Sequence, residues 1–124
     1  MPMTDQTFSR AISVATLGYG VYSLVRPEHL GRVMESDAFE KPTYDRLART
    51  YGVRDTVIGA LGLLGPTPTV VRTAMALRIA GDLADTVVLG MKAPNGRVRT
   101  KVLAVTLGYA AVNAAALARD ARRR

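Results

Sequence analysis

The 124 residues contain no cysteine and no tryptophan, and His29 is the only histidine. These absences exclude a disulfide framework, a thiolate zinc site, a cysteine nucleophile and a histidine-rich metal centre. Acidic residues are also scarce: 10 Asp and Glu face 17 Lys and Arg, for a net charge of +7 and a pI near 10.4. Charge-free runs exist but are short. They cover residues 11–25, 102–118 and 56–71, the last broken by Gly65-Pro66-Thr67-Pro68. None reaches the ~20 residues that alone would define a spanning helix.

What is present is small and apolar. The chain is 48% hydrophobic but only 6% aromatic, with a mean hydropathy of +0.11. Ala, Val, Leu and Gly suit helices that approach closely in lipid. The polar groups of the first apolar run are Ser13, Thr16, Tyr19, Tyr22 and Ser23; those of the last are Thr106, Tyr109 and Asn113. A helix in a soluble bundle shows water a polar face, and neither run has charge enough for one. The reading is therefore a cell-membrane, multi-pass protein with the lipid bilayer as its partner, against a soluble oligomer hiding the same faces. Nucleic acid is not an expected partner, because Arg10, Arg26, Lys101 and Arg119 sit at the edges of apolar spans instead of on one basic face. Asp5 before the first run, and Arg26-Pro27 after it, argue against a cleaved signal peptide.

Turn chemistry divides residues 1–124, read as one domain, into helices over about 7–25, 44–64, 69–91 and 98–118. The expected fold is all-α: a four-helix transmembrane bundle. Leu30, Val33 and Met34 share a face in the long first connection and predict a short interfacial helix there. Gly52, Gly59 and Gly62 give the second long helix a small-residue packing surface. Thr16-Leu17-Gly18-Tyr19 recurs as Thr106-Leu107-Gly108-Tyr109, and Asp55-Thr56-Val57 as Asp85-Thr86-Val87. This palindromic order is not that of a duplicated hairpin, and chance repetition among few residue types accounts for it.

Five charges carry the chemistry. Arg78, Asp82 and Asp85 follow i, i+4, i+7 and so share one helix face, while Arg54 and Asp55 lie inside the apolar half of the preceding helix. At a helix centre each would cost about 2.5–3.5 kcal/mol facing lipid, so they are expected to turn inward and pair. Two arginines meet three aspartates, which leaves one carboxylate in excess. Such a cluster should hold a proton or a cation at neutral pH. The competing role is a network that only locks helix register. His29, beside Pro27 and Glu28, reads as a solvated loop residue.

Arg49-Thr50-Tyr51-Gly52-Val53-Arg54-Asp55, followed by a Gly-rich apolar helix, resembles the R-x-x-G-x-R-D signature of a group of uncharacterised small four-helix integral membrane proteins, themselves loosely DoxX-like. Gly81-Asp82-Leu83-Ala84-Asp85 resembles the G-D-x-x-D pattern of the same group. The resemblance spans about residues 44–92. It implies a four-helix membrane fold, singles out Arg49, Arg54, Asp55, Asp82 and Asp85, and brings no activity with it.

The leading functional expectation is an acid/base site for a small lipophilic substrate, of isomerase, cyclase or hydrolase type. Asp82 or Asp85 would move the proton, Arg78 and Arg54 would stabilise negative charge, and Asp55 would orient an arginine. No cofactor or metal is expected. The alternatives are a proton- or cation-coupled transporter working as a homo-oligomer, specifically a homodimer, and a structural accessory subunit of a membrane complex.

Overall fold

The computed structural model describes residues 6–122. Among them it contains helices α1 (Thr7–Val25), α2 (Glu28–Val33), α3 (Lys41–Leu64), α4 (Pro68–Lys92) and α5 (Gly96–Arg122), and no strand. The four long helices run up and down as an antiparallel bundle. α1 packs most intimately on α3, α4 on α5, and α3 on α4, while the diagonal pairs, α1 with α4 and α3 with α5, meet least. The predicted long helices are all present, and each break falls at its turn signal.

Side chains set the helix ends. Asp37 and Glu40 cap each other before α3: the Glu40 amide donates to Asp37 Oδ1 at 2.8 Å, and the Asp37 amide to Glu40 Oε1 at 3.1 Å. Thr67 Oγ1 accepts from the Val70 amide ahead of α4, and Asn95 Oδ1 from the Val98 amide at the start of α5. At the far end Arg10 donates to the Leu63 and Gly65 carbonyls, at 2.8 and 2.9 Å, where α3 leaves unpaired acceptors.

The start of α1 is capped from the other end of the chain. Asp120, wholly buried, accepts from the Phe8 amide at 3.2 Å and the Ser9 amide at 2.6 Å. A carboxylate on a helix N-terminus satisfies orphan donors and meets the positive end of the dipole. Asp120→Ala should therefore lower stability by about 1–2 kcal/mol, read from thermal melts of the purified protein. A change within error would show that α1 is held by its packing alone.

α1 and α3 touch at glycine. A Cβ on Gly59 would lie 2.5 Å from the Leu17 amide nitrogen, and one on Gly20 2.5 Å from that of Thr56. No larger residue permits that approach. Gly52 and Gly62 also face α1, as the small-residue surface implied.

α2 departs from expectation. Its apolar face is turned into the bundle. Leu30 and Met34 are buried against Tyr44, Ala48, Leu89, Val98 and Val102, with Val33 packed beside them. α2 thus joins one buried cluster with residues of α3, α4 and α5 at this end of the bundle.

Polarity is distributed inside out. The buried face of α1 is Ser9, Ser13, Thr16, Gly20 and Ser23, while Val14, Val21, Leu24 and Val25 point outward. α4 buries Arg78, Asp82 and Asp85 but exposes Leu77, Leu83, Val87 and Met91. α5 is the one helix among the described residues long and apolar enough to cross a membrane by length and composition.

Candidate functional site

The five predicted charges come together between α3 and α4. Arg54 is fully engaged. Its Nη1 and Nη2 donate to the two oxygens of Asp85, at 2.9 and 2.8 Å, and its Nε donates to Asp55 Oδ1 at 3.1 Å. A forked guanidinium–carboxylate pair of this kind fixes both partners in position. The Tyr51 ring stacks under Arg54, with the guanidinium carbon 4.7 Å from its centroid.

Arg78 is held differently. Its Nε donates to Asp82 Oδ2 at 3.1 Å, and its Nη1 lies 3.0 Å from Asp55 Oδ2 but out of line for a hydrogen bond. Among the described residues neither terminal nitrogen donates an aligned hydrogen bond. A guanidinium carries five N–H groups, and this side chain is only 5% exposed. Buried donors without acceptors are costly, at about 1–3 kcal/mol each. The Tyr109 ring faces the same guanidinium, 5.3 Å from centroid to carbon.

The pairing thus closes in a way that charge counting does not anticipate. Asp55 bridges the two arginines, one oxygen to each, so every carboxylate of the trio has a guanidinium beside it. The excess negative charge is shared by the network and is not carried by one unpaired aspartate.

A cavity of about 280 Å³ lies against this network. Asp55, Arg78, Asp82 and Asp85 form its polar wall, and Leu30, Val33, Leu89, Val102 and Val105 supply apolar surface. Arg54 is not among the lining residues; it stands behind Asp85 as a clamp. Arg49, singled out by the motif, is exposed on α3 and outside the cluster.

The four-residue repeat acquires a meaning here. Tyr19 and Tyr109, its two tyrosines, both line the cavity from facing helices, and Gly18 and Gly108 both face outward, with no atom within 4 Å of a Cβ placed on either. Val105 and Tyr109, exposed to 52% and 36%, lie on the rim, with Lys101 one turn further toward α2. The mouth accordingly lies along α5, opposite Tyr19 of α1.

Sequence reasoning missed three residues. His29 is no solvated loop residue: it sits on α2, lines the cavity and meets the Tyr22 ring edge-on at 5.2 Å. Thr106 lines the cavity and shares a 2.6 Å hydrogen bond with Thr86, tying α5 to α4. Lys101 had been read only as a flanking charge. The i, i+4 offsets of Lys101, Val105 and Tyr109 would have placed them on one face, but no local pattern tells which face meets a cavity.

No group of metal-ligating residues occurs among the described residues. No protein-family model, curated protein or solved structure matches the chain.

Proposed function

We propose that this protein is a multi-pass membrane bundle, of the kind the R-x-x-G-x-R-D resemblance implies, that carries out proton-transfer chemistry on a small lipophilic molecule. The observation that carries the reading is the cavity itself: an apolar chamber with a carboxylate and an under-used guanidinium in its wall. The inside-out polarity supports the membrane part. Apolar side chains facing outward on every long helix suit lipid, whereas in water they would be a large unburied surface. α4 buries Arg78, Asp82 and Asp85, and α3 buries Asp55, while Lys41, Arg46 and Arg49 of α3 are exposed in its first half. The lengths suit a bilayer as well: α1, with 19 residues, is about 28 Å long against a hydrocarbon core of ~30 Å.

The geometry divides the roles. Asp85 has both oxygens held by Arg54 and serves as a structural anchor. Asp82 has one oxygen paired with Arg78 and is the acid/base group. Arg78 stabilises negative charge on the substrate, and Asp55 orients Arg78. Asp82→Asn keeps the shape and removes the proton carrier. The variant should fold, yet fail to restore the lipid-soluble metabolite profile of a deletion strain, with activity lowered at least about 100-fold. Full complementation by a folded Asp82→Asn protein would sink the acid/base reading.

A further inference from the structure

The unused donors of Arg78 point to the ligand's chemistry. Arg78 lines the cavity; its Nη1 is buried 3.0 Å from Asp55 Oδ2 but out of line for a hydrogen bond, and its Nη2 donates none among the described residues. Such groups suit a partner oxygen that becomes more negative as it reacts. Asp82 shares the guanidinium's other edge at 3.1 Å, so a ligand oxygen on Nη2 stands within one small molecule's reach of the carboxylate. The rest of the chamber, Leu30, Val33, Leu89, Val102 and Val105, wants hydrocarbon. Its volume of about 280 Å³ is at the small end of ligand pockets.

We propose that the substrate is a lipophilic β,γ-unsaturated carbonyl compound with a C–H between the carbonyl and the double bond, and that the site shifts the carbon–carbon double bond by moving that proton. The inference rests on the acid/base reading given above. In the forward step the Asp82 carboxylate takes the α-proton. The C–H electron pair forms the new carbon–carbon double bond, and the carbonyl π pair moves onto oxygen. The resulting dienolate oxygen accepts from Arg78 Nη2. The β,γ π pair then takes the proton from Asp82 onto the γ-carbon, the pair between the carbonyl carbon and the α-carbon moves to the α,β position, the oxygen pair re-forms the carbonyl, and the double bond ends one position along. Atoms and electrons balance with no co-reactant. Arg54 touches no reacting atom. It holds Asp85 and Asp55 so that Arg78 keeps its edge toward the cavity.

The test uses the full chain in detergent and 2-naphthol, a planar hydroxyl compound that mimics the enol and changes absorbance when it ionises. Wild-type protein should bind 2-naphthol at least about tenfold more tightly than naphthalene, and raise the ionised fraction of the bound dye. Two variants should move naphtholate binding in opposite directions. Arg78→Lys, losing the fork, should weaken it about tenfold. Asp82→Asn should strengthen it, because a negative charge facing the oxyanion is gone. A purely structural network would not produce opposite signs. If Arg78→Lys does not fold, the wild-type comparison of 2-naphthol with naphthalene still decides. Equal binding of the two, or a bound dye that stays neutral, overturns the carbonyl inference. That failure is separable from failure of the acid/base reading. Loss of complementation by Asp82→Asn alongside indifferent dye binding leaves acid/base chemistry standing with another substrate class. Retained complementation removes the reading, and the inference with it.

Discussion

Asp55→Ala should be the most damaging single substitution in the bundle, costing about 3–5 kcal/mol. Asp55 is 1% exposed and bridges both guanidiniums, Oδ1 to Arg54 and Oδ2 to Arg78. Removing it leaves Arg78, only 4% exposed, with Asp82 as its remaining ion-pair partner, and Arg54 with Asp85 alone. Each arginine keeps one aspartate, so the energy is lost through Arg54 Nε and the buried Arg78 Nη1, which no longer face an acceptor. Asp55→Asn, which keeps an acceptor oxygen and the same shape, should cost visibly less. Chemical or thermal unfolding in one detergent, with both variants run beside wild type, measures the difference. A loss under 1 kcal/mol for Asp55→Ala would mean that the network is wet and adaptable, and that Asp55 orients nothing.

The second large effect concerns the outer surface. Gly18 and Gly108 both face outward, and nothing lies within 4 Å of a Cβ built on either. Arginine at these positions therefore meets no clash inside the protein. In water such surface changes alter stability within about 0.5 kcal/mol. At the centre of a bilayer each arginine costs about 2.5–3.5 kcal/mol, so Gly18→Arg with Gly108→Arg should cost about 5–7 kcal/mol of insertion. The wild-type chain should stay in the membrane fraction through a carbonate or high-salt wash, which strips proteins held by headgroup charge alone. The double variant should be lost from that fraction and degraded. A double variant that accumulates normally, with wild type soluble without detergent, would refute the membrane reading. The Arg–Asp cluster would then be the interior of a soluble bundle.

The two parts of the candidate site were not equally legible. The Arg78, Asp82 and Asp85 face followed from helical spacing alone, because side chains at i, i+4 and i+7 must project together. That the charges turn inward followed from the cost of the alternative in lipid. What spacing cannot reveal is rotation of one helix against another. That rotation brings Arg54 onto Asp85 across 31 positions of sequence and leaves Arg78 facing the cavity with donors to spare. Two arginines identical in a composition count therefore have different jobs.

Asp120 is the clearest long-range case. It is 112 residues from Phe8, and nothing around it marks it as the cap of α1. A capping box is readable when both partners lie within one turn, as Asp37 and Glu40 do. The α2 face was readable as apolar but not as to its destination, since a buried face and an interfacial one have the same pattern.

By itself, then, the sequence determined the long helices, their breaks at Gly65-Pro66 and Pro94-Asn95-Gly96, the small-residue seam of α3 and the inward turn of five charges. The first three follow from local propensity and from spacing along one helix, and the inward turn from the cost of exposing charge among apolar faces. The tertiary structure alone decided that Asp55 bridges both arginines, that His29, Lys101 and Thr106 join the cavity, that α2 packs its apolar face into the bundle, and that Asp120 caps α1. Each of those depends on how whole helices cross and rotate, which is set by packing over the entire interface and leaves no periodic trace in any one segment.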